Sequence, residues 1–185
     1  MTRVWLDATD WACCGDPFAV GDEVDFVIEG RMPSDRFVRY LGAELAATVD
    51  AFEARHPEHP TDDRVRGRVS GVQIVVHESV DRFVLRRPGY GAPPDAEMPA
   101  EGEFWPFSGR DLGNGFLTGT RPTRWMQVSE RVPGAVELVP SDRVPGERPE
   151  SGDRDTEIDL DGPEPAERRV RVRTGWLVDV EETDL

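Results

Sequence analysis

The chain has 185 residues, and its 22 basic residues are all arginine, set against 37 acidic ones for a formal charge of −15. That balance argues against a nucleic-acid partner, whose phosphate backbone is held by clustered cations, and against an anionic membrane surface. With 37% hydrophobic residues and 16 prolines, the composition suits one domain over 1–185 with a modest core and much loop.

Val4–Asp7, VWLD, is the first strand candidate. The N-terminal stretch lacks the basic-then-apolar order of a signal peptide. No run approaches the roughly 18 apolar residues of a membrane helix, so the chain reads as soluble and cytoplasmic.

Trp11–Phe26 follows as WACCGDPFAVGDEVDF and holds both cysteines, Cys13 and Cys14, side by side. Val24, Phe26 and Ile28 then keep a period of two, which predicts a strand entered through a Gly21-Asp22 turn. Asp22 and Glu23 read as part of that turn rather than as a carboxylate pair.

Residues 34–56 predict the one helix. Ser34 is suited to the N-cap, and Phe37, Leu41, Leu45, Val49 and Phe52 form an apolar stripe. Pro57 pushes His56 out of helical space and ends the element. Arg64–Leu85 reads as one long strand or two, with bends expected at Gly67 and Gly71.

Residues 86–103 are rich in proline and glycine and predict a flexible loop. Short strands are expected at 116–117, 125–128 and 135–139, separated by turns at Asn114-Gly115 and Pro133-Gly134. Residues 141–168 hold ten acidic residues against four arginines and predict a second, acidic flexible loop. RRVRVRTGWLVDVEE closes the chain as a hairpin, or as a bent strand pivoting at Thr174-Gly175, that returns to pair with the main sheet. The sum is an α+β, mainly β fold: a small bent antiparallel sheet or partly open SH3-like or OB-like barrel, with one helix and two long flexible loops.

WACCGDPFAVGDEV, VRGRVSGVQIVV, VPGAVELV and TGWLVDVE together resemble a family of uncharacterised actinobacterial proteins, a domain of unknown function. The arginine-only basic set fits a GC-rich coding bias, as in actinobacteria or haloarchaea. The resemblance supports the fold and implies no activity. It also implies a cysteine near the position of His77, where this chain departs and would change one metal-ligand type.

Adjacent Cα atoms lie about 3.8 Å apart, short of the roughly 4.4–6.8 Å a disulfide prefers, so Cys13–Cys14 is not expected to bridge. Candidate zinc ligands are Cys13, Cys14, His59 and His77, but Cys-Cys lacks diagnostic spacing and no cofactor is predicted. A cysteine nucleophile would need His59 or His77 as its base. The expectation is that one cysteine is buried as a small apolar residue, with Trp11 and Phe18 packing the turn onto the helix stripe. The EFWPF segment, with Phe104, Trp105 and Phe107, is the candidate binding surface. Two functions stay open. One is a non-catalytic binding module for a protein partner or small ligand. The other is a small metal- or thiol-dependent enzyme built on Cys13 or Cys14 with His59 or His77.

Overall fold

The computed structural model describes residues 1–31, 38, 41–53, 61–100, 102–106, 108–111, 117–146 and 158–183. The predicted Ser34 cap, Phe37, His56, His59, Phe107 and Asn114–Phe116 lie outside them.

In chain order the strands are β1 (Thr2–Asp7), β2 (Phe18–Ala19), β3 (Glu23–Gly30), β4 (Ala51–Glu53), β5 (Arg64–Leu85) and β6 (Arg87–Pro88). Then come β7 (Gly91–Ala92), β8 (Ser108–Asp111), β9 (Leu117–Thr120), β10 (Trp125–Ser141), β11 (Arg143–Val144) and β12 (Arg168–Glu182). Two short helices, α1 (Ala8–Cys14) and α2 (Ala43–Ala46), complete the described elements. The α+β, mainly β expectation holds.

The chain divides into two compact units. The first comprises Met1–Glu78, Arg131–Asp153 and Arg171–Leu185; the second comprises Ser79–Glu130 and Arg154–Val170.

The first unit is built on a ring of strands. The sheet runs β10-β5-β12-β1-β4-β3, and β3 pairs again with β5, which closes β5, β12, β1, β4 and β3 into a barrel. β1 lies antiparallel to β12, with Val4 opposite Val178 and Leu6 opposite Trp176. β1 runs parallel to β4, with Val4 opposite Ala51, so the sheet is mixed where an antiparallel one was expected. β3 meets β5 antiparallel, with Phe26 opposite Val65. The predicted return of the C-terminal strand to the main sheet is therefore the β1–β12 ladder.

Alternation sorts the side chains into two cores. Val4, Leu6, Phe26, Ile28, Val178 and Val180 fill the barrel interior. Trp5 and Leu177, one residue out of phase, bury the opposite face against Leu41, Ala46, Val49 and Phe52. On β5 the inward set changes from the odd positions Val65 and Val69 to the even positions Val72 and Ile74. An even spacing keeps a strand residue on its face, so the strand must slip one residue at Ser70-Gly71, as the glycine suggested.

Three sequence expectations need correction. Of the predicted helix stripe, Leu41, Val49 and Phe52 are buried and Leu45 is half-buried, but its last part is not helical. Phe52 belongs to β4, because pairing with β1 and β3 closes the barrel and outweighs local periodicity. Pro133-Gly134 does not turn the chain; both residues lie inside the 17-residue β10. β10 stands at the end of the strand order, where a proline removes no ladder bond if its nitrogen faces outward. Cys13 and Cys14 are not in a turn but end a second helix, α1. Asp7 caps it by accepting from Thr9 N at 2.8 Å and Asp10 N at 3.4 Å.

The second unit holds the short β6–β7 and β8–β9 pairs. Its buried residues include Ser79, Asp81, Phe83, Ala92 and Trp105. Asp81 accepts from Ser129 Oγ at 2.5 Å and from Arg168 Nε at 3.1 Å. Arg86 donates to the carbonyls of Thr123 and Gly91 at 2.8 and 2.6 Å. Within the acidic segment, Leu160 O accepts from Trp125 N at 2.8 Å, and Gly162 O accepts from Trp125 Nε1 at 3.0 Å.

Candidate functional site

The WACCGDPF stretch serves the barrel rather than the helix stripe. Trp11 is buried, and its ring meets Phe18 edge-on at 5.6 Å and Phe26 at 6.3 Å between centroids. Trp11 Nε1 donates to the carbonyl of Pro145 at 3.0 Å. Gly15, the α1 C-cap, lies so close to the Trp11 ring that a Cβ there would overlap the indole. Phe18 in turn pairs with Val144, joining β2 to β11 as a strap. Trp11 thus ties both limbs of this strap to the barrel.

Beside the strap lies a cavity of about 700 Å³, lined by Phe18, Ile74, Val144, Pro145, Arg173 and Trp176 among others. Asp22 and Arg143 contribute the other charged groups of the lining. One oxygen of Asp22 is already engaged, accepting from Ala19 N at 2.8 Å.

Arg173 is the unusual member. Its guanidinium lies over the Trp176 ring, 4.8 Å from the centroid. In a regular strand residues i and i+3 face opposite ways, so this stacking requires the chain to change face at Thr174-Gly175, the predicted pivot. Gly175 permits it, since a Cβ there would strike Leu6 O and the Trp5 ring. Arg173 Nε and Trp176 Nε1 are buried without hydrogen-bond partners. Among the described residues no carboxylate pairs with Arg173, whereas Arg3, Arg31, Arg64, Arg66, Arg68, Arg82, Arg168 and Arg171 each have one. Burial alone holds the Arg173 guanidinium below its ordinary value. A desolvated cation is normally paired, because leaving it unpaired costs stability.

The residues singled out from the sequence fall elsewhere. Cys13 and Cys14 are both exposed, which corrects the expectation that one is buried; α1 turns both away from the core that takes Trp11. His77 is buried in the middle of β5, not at a strand end, and its Nε2 has no hydrogen-bond partner. His59 lies outside the described residues. Among the described residues no three His, Cys, Asp or Glu side chains gather as a metal-binding group. Of the EFWPF surface, Phe104 is 53% exposed with the Arg121 guanidinium 3.8 Å from its ring centroid. Trp105 offers no surface, being only 2% exposed. No helix among the described residues is long and apolar enough to cross a membrane.

In the first unit, fold and cavity define a small closed mixed barrel with a strapped, concave, arginine-bearing cavity on its wall. The chain belongs to the family of unknown function DUF6578, whose family model matches residues 1–182. It matches no curated protein and no solved structure.

Proposed function

We propose that this protein is a non-catalytic binding module whose ligand is a small molecule held in the cavity beside the β2–β11 strap. The observation that carries the reading is the cavity itself. Its volume of about 700 Å³ lies within the range of small-molecule sites, and its lining is mostly apolar with a few charged groups. The strap gives the cavity a defined wall, since Phe18 and Val144 are held by backbone pairing and by the Trp11–Pro145 bond. Rigid walls lower the ordering cost of binding. Neither a protein partner nor a metal- or thiol-dependent reaction at Cys13, Cys14 or His77 gains a comparable observation.

The test is a thermal-shift screen of small organic molecules against the whole chain, repeated on Ile74→Trp, which fills the cavity from β5. Compounds that raise the parent's melting temperature and leave I74W unmoved support the reading. Shifts of equal size in both proteins overturn it, as does a screen in which nothing shifts the parent.

A further inference from the structure

We propose that the ligand of this cavity is an organic monoanion: a carboxylate on an aromatic or branched aliphatic body, its charge taken by Arg173 and its body lying against Trp176, Phe18 and Val144. The inference rests on the small-molecule reading above and narrows it to one chemical class.

Arg173 lacks a counter-charge among the described residues, and its Nε is buried without a hydrogen-bond partner. In a chain with 37 acidic residues, at least nine of the described arginines have found carboxylates, exposed ones among them. Arg173 is more buried than several of these and gains most from a counter-charge, yet it has none among the described residues. No carboxylate among the described residues completes it, and the proposed ligand supplies the anion. Stacking on Trp176 holds the guanidinium plane in place, so little side-chain freedom is lost when a carboxylate docks.

The lining carries the guanidiniums of Arg143 and Arg173 against the carboxylate of Asp22. The surplus is a single positive charge, which one carboxylate neutralises. A phosphate dianion would leave a negative charge uncompensated beside Asp22, within a chain already at −15. The wall of Phe18, Ile74, Val144 and Trp176 gives the ligand body apolar and aromatic contact, and hydrophobic transfer rewards a body that is apolar too.

The experiment uses one body with three heads: naphthalene-2-carboxylate, its neutral primary amide, and 2-naphthyl phosphate. Each is titrated calorimetrically into the whole chain at pH 7, and benzoate with its amide repeats the comparison on a smaller body. The carboxylates are expected to bind about tenfold or more tightly than their amides, as a charge-assisted bond predicts, and more tightly than the phosphate. In Arg173→Met the carboxylate's advantage over the amide disappears.

Equal binding of carboxylate and amide to the parent overturns the anion inference and leaves the cavity reading standing. Preference for the phosphate overturns the monoanion assignment. Binding of none of the probes overturns both. The parent comparison needs no variant, so it decides even if R173M folds poorly.

Discussion

The guanidinium of Arg173 and the indole of Trp176, three positions apart on β12, stack at 4.8 Å, with Nε of the one and Nε1 of the other buried and unpartnered. Two orphan donors side by side in a protein interior cost stability in the unliganded state. A site kept ready for a ligand accepts that cost, and the clearest consequence is thermodynamic. Arg173→Met removes the uncompensated cation and keeps an extended apolar side chain against the ring. The loss of the cation–π contact, about 0.5–1 kcal/mol, is smaller than the desolvation cost removed. The variant is therefore expected to be more stable than the parent without ligand, by about 1 kcal/mol, measured by urea denaturation. A variant destabilised by more than that would make Arg173 a structural residue.

His77 gives a pH-dependent prediction. Burial first, and the charge of Arg131 on β10 second, hold His77 below the ordinary histidine value of 6.5. The folded state therefore prefers the neutral ring more than the unfolded chain does. The stability this contributes is complete above about pH 6.5 and is lost as pH falls through the folded value. The slope is at most about 1.4 kcal/mol per pH unit for one proton. Denaturation midpoints measured from pH 8 to 5 should fall in the parent and fall less in His77→Gln. Parallel curves for the two proteins would remove His77 as the cause.

Asp81 anchors the second unit. Burial pushes its carboxyl up, but hydrogen bonds from Ser129, Gln127 and Arg168 and the charge of Arg168 outweigh burial and hold it below 3.8. Its contribution is thus present above about pH 3.8 and is lost as pH falls through the folded value. Asp81→Ala leaves Ser129 without its acceptor and Arg168 without its ion pair. Because Arg168 keeps 27% side-chain exposure, the cost falls toward the lower end for a broken buried pair, about 2–3 kcal/mol. Hydrogen exchange at the amides of Phe83, Trp125 and Arg168 should report the loss. Unchanged protection there would show that the network does not hold the second unit together.

Much of the barrel was legible in the sequence because one face of each long strand is apolar. Phe26 and Ile28 on β3, and Val178 and Val180 on β12, kept the period of two that the barrel interior demands. The misreadings share a physical cause: a tertiary contact that no local pattern encodes. Phe52 continues a helical spacing yet is taken into β4 by its pairing with β1. α1, at seven residues, is too short to display a helical period, although Asp7 ahead of Thr9 and Asp10 is a cap signal that points to it. The cavity was the least legible feature. Arg173 reads as one more outward arginine in RVRVR, and only the face change at Thr174-Gly175 brings it over Trp176. The pivot was visible as a glycine; what it would aim, and at which ring, was not.

Trp11→Phe tests the link between the WACCGDPF stretch and the cavity. Phenylalanine retains apolar contact with Phe18 and Phe26 but cannot donate to Pro145 O, which loses its bond at 3.0 Å. The ring is also smaller, so the interior loses volume as well. Together these should destabilise the first unit by about 1–3 kcal/mol. The more telling effect concerns the strap. The Ala19–Arg143 end of the β2–β11 pair still holds, with Val20 N next to it donating to Asp142 O at 2.8 Å. The Pro145 end, next to the cavity, loses its tie. W11F should therefore bind cavity ligands more weakly than its stability loss alone explains, because the wall formed by Val144 and Pro145 must be ordered on binding. Calorimetric titration at a temperature where both proteins are fully folded makes the comparison. Equal affinities would mean that backbone pairing alone positions the strap, and that Trp11 serves the barrel interior only.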